Sequence, residues 1–112
     1  MTISNLIEAI QKAEIVAFSE VIATIDAHFE FTPTRFTNGA VTNEANTNNG
    51  SCKVLAFAKM YQLEAKETLF LFGEHYQKVL ATTDEMDHQN IRNFINSGWD
   101  GISFEGNALE LK

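Results

Sequence analysis

The chain has 112 residues, 45% of them apolar and 21% charged, with a single cysteine and a single proline. That length and composition exclude a second large domain, a disordered tail, a collagen-like fibre and a disulfide scaffold. A formal net charge of −7 makes nucleic-acid backbones and anionic membrane surfaces poor partners.

Residues 3–12 predict a short helix, because Ile3, Leu6, Ile7 and Ile10 share one face. Residues 15–29 repeat the pattern: Ile15, Phe18, Ile22, Ile25 and Phe29 step by three and four, with Glu20, Thr24 and Asp26 on the polar side. Pro33 then breaks the chain after a short alternation at Phe29 and Phe31. The dipeptide Asn38-Gly39, between Arg35-Phe36-Thr37 and Ala40-Val41-Thr42, predicts a hairpin with Asn38-Gly39 at its tip. From Thr42 to Ser51 the chain is polar apart from Ala45 and Gly50, and four asparagines fall in those ten residues. Such a stretch predicts a surface loop.

A helix over residues 51–62 follows, with Asn48, Asn49 or Ser51 available as its cap and Val54, Leu55, Phe57, Ala58 and Tyr61 on its buried face. Residues 65–81 predict another, broken near Gly73. Leu69, Phe70, Phe72, Tyr76, Val79 and Leu80 make that segment apolar on more than one side, which places it in the core. Asp87 can cap a last helix over 88–96, with Ile91, Phe94 and Ile95 inward and Gly98 closing it. Two short strands around Glu105-Gly106-Asn107 complete an α+β fold. It comprises four to five short helices packed with a small antiparallel hairpin and C-terminal strands, one domain over residues 1–112.

No run reaches the roughly 18 apolar residues of a membrane span. The N-terminus lacks the early basic residues of a secretory signal. Cytoplasm is the default compartment. The charge is uneven: residues 31–63 carry Arg35, Lys53 and Lys59 against Glu44 alone. That makes this the one cationic stretch and the favoured place for a small anion.

Within it, Asn49-Gly50-Ser51-Cys52-Lys53 runs a polar, glycine-containing loop into a helix. First-turn N–H groups there could hold a carboxylate or phosphate, or lower the pKa of Cys52 beside Lys53. The competing reading is a plain helix start with Cys52 packed inside as a small hydrophobe. A thiol-dependent enzyme would need an imidazole base, for which His28 or His88 is available, and an orienting group such as Asn43 or Asn90. The weak catalytic candidates are therefore Cys52 and His88. The ligand-binding candidates are Asn49, Gly50, Ser51, Lys53 and Arg92, with Arg35 facing them from the hairpin. His28, His75 and His88 lack metal-ligand spacing, so neither metal nor cofactor is expected. Trp99 reads as an anchor closing the last helix onto the terminal strands.

Several stretches together carry a family resemblance. They are Phe29-Glu30-Phe31-Thr32-Pro33-Thr34-Arg35-Phe36-Thr37-Asn38-Gly39, Asn49-Gly50-Ser51-Cys52-Lys53, Glu67-Thr68-Leu69-Phe70-Leu71-Phe72-Gly73, Asp87-His88-Gln89-Asn90-Ile91-Arg92-Asn93-Phe94 and Gly98-Trp99-Asp100-Gly101-Ile102-Ser103-Phe104. In order and spacing this chain resembles the HopJ family, described as type III effector proteins of bacterial pathogens. The resemblance implies an effector-like protein associated with virulence and delivered into host cells, and it assigns no catalytic residue or cofactor. A helix starting by Ile3 leaves almost no polar export segment, which keeps a resident cytoplasmic role open. The combined expectation is a protein that binds a protein or small-molecule partner, without nucleic acid and without membrane insertion.

Overall fold

The computed structural model describes residues 1–112. Six helices, α1 (Ile3–Gln11), α2 (Phe18–His28), α3 (Asn49–Met60), α4 (Ala65–Phe70), α5 (Glu74–Ala81) and α6 (Gln89–Ser97), pack with five three-residue strands. The strands are β1 (Phe29–Phe31), β2 (Phe36–Asn38), β3 (Val41–Asn43), β4 (Ile102–Phe104) and β5 (Leu109–Leu111). The α+β class is as the sequence predicts. No helix is long and apolar enough to cross a membrane.

Local chemistry accounts for most boundaries. The Thr2 hydroxyl accepts the Asn5 amide and starts α1, and Glu64 with Glu67 forms a reciprocal cap on α4. The core forms around α3, whose Val54, Leu55 and Phe57 are fully buried together with Leu6, Ile25 and Leu71. The ring of Phe57 meets Phe29 edge-on at 5.9 Å and lies 4.9 Å from Tyr61.

The two tail strands are present and join different sheets: β5 pairs with β1 in one, and β4 joins β2 in the order β3-β2-β4 in another. The hairpin forms one residue out of its expected register. Asn38 pairs with Val41, so the two-residue loop is Gly39-Ala40, with Gly39 at φ +60° in the first central position. A shift by one turns a side chain to the opposite face, and Asn38 is 0% exposed. The polar loop is correspondingly shorter, and Asn43 ends β3 as a buried residue.

Other corrections have equally local causes. Helix α2 starts at Phe18, leaving Ile15 outside it and 62% exposed. The preceding chain is occupied with a close approach to Gly73: the Val16 carbonyl and Phe18 amide lie where a β-carbon there would sit. Its buried face carries Val21, Thr24 and Ile25, and the Thr24 hydroxyl is satisfied by donating to the Glu20 carbonyl. Leu80 and Ile95 are exposed because their neighbours cover only part of each apolar stripe. Asp87 does not cap α6; His88 does, in the left-handed region at φ +51°. Gly73 breaks the fourth helical segment and Gly98 ends α6 as expected; both have positive φ, Gly98 with ψ −150° and so outside the left-handed helical region. Trp99 packs edge-on against Phe94 at 5.1 Å and donates its indole N–H to the Leu63 carbonyl.

Candidate functional site

The starts of α3 and α6 open onto one cleft of about 630 Å³, walled further by the starts of α2 and α5 and by β3. The starts of α3 and α6 lack side-chain caps. The amides of Asn49, Gly50 and Ser51 at one end, and of Gln89 and Asn90 at the other, therefore keep free donors. Gly50 lets the wall close up: the Phe18 ring lies across it, 3.1 Å from where a β-carbon would be. Phe18 stacks at 6.2 Å on Phe72 and meets the His75 ring edge-on at 4.8 Å. His75 in turn lies 5.0 Å from His88, centroid to centroid. Four rings thus run in sequence from the core to the mouth of the cleft. No group of three or more His, Cys, Asp or Glu side chains is placed to hold a metal ion; the Asp87 carboxylate, 3.9 Å from His88, is engaged elsewhere.

A buried amide network holds the two helix starts together. Asn90 Nδ2 donates to Asn43 Oδ1 at 2.9 Å, and Asn43 Nδ2 donates back to Asn90 Oδ1 at 3.1 Å. Asn48 Nδ2 donates to the same Asn43 oxygen at 2.6 Å, which ties the start of α3 into the pair. Asn38 Nδ2 adds a donor to both Asn90 oxygens, at 2.8 Å to the carbonyl and 3.0 Å to the side chain.

The one carboxylate lining the cleft is already engaged. Asp87 Oδ2 accepts from Lys78 at 2.9 Å and Oδ1 from Arg92 at 2.7 Å. Lys78 first, then Arg92, holds its carboxyl at about 2, below the usual 3.8. The pKa is depressed in the folded state. The stability it confers is therefore complete above about pH 4 and lost as pH falls towards 2. Asp87→Asn should remove that limb, seen as a flatter dependence of Tm on pH in this window. An unchanged slope would mean that the ion pairs do not couple to folding.

Of the residues singled out in the sequence, Asn49, Gly50, Ser51 and His88 meet in this cleft, together with Asn43 and Asn90. Lys53, Arg92 and Arg35 do not line it. Lys53 pairs with Asp26 at 2.8 Å; Arg92 binds Asp87 and the Thr82 carbonyl; Arg35 bridges Glu44 and Glu105. Two of the three bases of the cationic stretch, Arg35 and Lys53, are therefore already paired with carboxylates, and the third, Lys59, does not line the cleft. The expectation of a stabilised Cys52 thiolate is corrected too. Its side chain is 2% exposed, turned to the Thr34 carbonyl, and burial pushes the thiol pKa up. His28 lies at the far end of α2. Sequence reasoning missed His75, Phe18 and the linking role of Asn43 and Asn90. The usable signal was the break at Gly73, which starts a new helix one residue before His75.

A family model described as "HopJ type III effector protein" matches residues 3–109. Among solved structures the chain is similar to a crystal structure of VPA0580, a protein of unknown function. The two are 43% identical with a TM-score of 0.96, over 100% of this chain and 95% of that one. No curated protein matches it.

Proposed function

The chain belongs to the HopJ type III effector protein family, and from that premise we propose that it acts by binding. The proposed ligand is a small organic oxyanion, a carboxylate or phosphate ester, in the cleft between α3 and α6. The observation that carries this reading is the donor-rich lining around the His75–His88 pair. The Ser51 hydroxyl and the two imidazoles stand beside the free first-turn amides, and the only carboxylate there is occupied by Lys78 and Arg92. A surplus of donors suits a ligand that brings acceptors. Phe18 supplies an apolar wall for the body of such a molecule, and about 630 Å³ is within the range of small-molecule sites. The family description adds the proposal that binding takes place in a host cell after type III delivery, with a consequence for virulence.

The test is a titration with benzoate, phenyl phosphate and benzyl alcohol at millimolar concentration, followed by amide chemical shifts and thermal stability. Either anion should raise Tm and shift Asn49, Gly50, Ser51, Gln89 and Asn90 saturably. His75→Gln with His88→Gln should weaken that binding about tenfold or more, the cost of lost charge-assisted hydrogen bonds. Equal binding of benzyl alcohol would overturn the oxyanion assignment, and silence from all three probes would overturn the site.

A further inference from the structure

Beside the C-terminal half of α3, two shallow grooves of about 270 and 360 Å³ meet at Lys59 and flank β4. Ala56, Met60 and Phe104 line one, and Leu63, Trp99 and Ile102 the other. Met60 is 43% exposed, and Trp99, Ile102 and Phe104 are half-buried, so this is an apolar strip open to solvent. No carboxylate lines either groove. Lys59 takes part in none of the molecule's ion pairs, although five of the eight lysines and arginines do. Its ammonium lies 5.5 Å from the centre of the Phe104 ring.

The backbone beside the strip is also unpartnered. Strand β4 is the edge of its sheet, paired only with β2. The Gly39 amide donates to the Gly101 carbonyl and the Glu105 amide to the Arg35 carbonyl, which sets the alternation. Gly101, Ser103 and Glu105 point towards β2, so Ile102 and Phe104 direct their backbone groups outward. The Ile102 amide turns back to the Trp99 carbonyl, leaving the Ile102 carbonyl and both Phe104 groups open. Edges are blunted by shortness, proline, a bulge or a covering segment; β4 is short, at three residues, but holds no proline, and its outward groups are open.

We propose that β4 is a docking edge for an extended peptide segment of a partner protein. The segment adds as a strand to Ile102–Phe104, lays apolar side chains in the two grooves, and places one carboxylate on Lys59. The main-chain bonds supply register, and the grooves and Lys59 supply selectivity. The unpaired charge selects an acidic residue, because a basic one would face Lys59 in grooves that no carboxylate lines.

Two capped pentapeptides test this, four valines around a central aspartate and the same peptide with a central lysine, titrated into the labelled full chain. The aspartate peptide should shift the Phe104 amide, protect it from hydrogen exchange, and bind about tenfold more tightly than the lysine peptide. The exposed charge swap Lys59→Glu should reverse that preference, a result that misfolding cannot mimic. Equal binding of both peptides, shifts confined to other surfaces, or no binding to β4 would overturn the proposal. So would self-association through β4 in sedimentation, which would make a second copy the occupant.

Discussion

Replacing Gly73 by alanine should destabilise the protein by about 3 kcal/mol or more, lowering Tm by roughly 10–20 °C for a domain of this size. Gly73 has φ +56° and ψ −129°, a region that side chains with a β-carbon rarely enter. A β-carbon would also sit 2.8 Å from the Phe18 amide nitrogen and inside contact distance of the Val16 carbonyl. Both are backbone atoms. The Phe18 amide is further fixed by donating to Glu74 at 2.7 Å, so the neighbouring chain has little room to yield. Gly98→Ala is the matched control, since Gly98 has φ +58° but nothing within 4 Å of its virtual β-carbon. It should cost only the backbone strain, about 1–2 kcal/mol. Equal losses in the two variants, measured by denaturant unfolding, would show that crowding between α2 and α5 is not what Gly73 relieves.

The same position shows where sequence reading reaches and where it stops. A glycine inside an apolar helical pattern announces a break, and the break is there. The long-range partner that makes glycine obligatory, a carbonyl 57 residues earlier at Val16, leaves no local trace. Helix type and order were legible because periods of three and four survive in α1, α3 and α6. Strand partners were not, because three-residue strands carry too little alternation to specify which edge they join. In the cleft, the free amides of Asn49-Gly50-Ser51 follow from helix-start chemistry, which is local, whereas His88 stands out in the sequence only as an available imidazole. Lys53, Arg92 and Arg35 were misplaced by the same reasoning. A charge's sequence neighbourhood says nothing about the acid that folding brings to it, as Asp26 reaches Lys53 and Glu105 reaches Arg35. His75 was invisible for a related reason: its relation to His88 exists only after α5 and α6 pack.

Asn43→Ala should cost about 2–4 kcal/mol and should also disorganise the cleft. By composition Asn43 belongs to a solvent-facing loop, yet it is 1% exposed. Its oxygen accepts from Asn90 and from Asn48, and its amide donates to Asn90. Truncation leaves Asn90 Nδ2 without its partner in the interior, at about 1–3 kcal/mol, while the exposed Asn48 amide turns to water and loses only the net worth of its bond, about 0.5–1.5 kcal/mol. Asn107→Ala, at an exposed asparagine with no side-chain partner, should change stability by less than about 0.5 kcal/mol. The more telling readout is local. The Asn48 and Asn90 contacts are what hold the first turn of α3 against the first turn of α6. Amide exchange at Cys52, Ile91 and Arg92, the first hydrogen-bonded amides of the two helix starts, should therefore accelerate more than exchange in the Val54–Phe57 core of α3. Uniform acceleration across α3 would mean that Asn43 contributes only to global stability. A selective effect would make this asparagine the positioning residue of the cleft, acting on any ligand through the helix starts it joins.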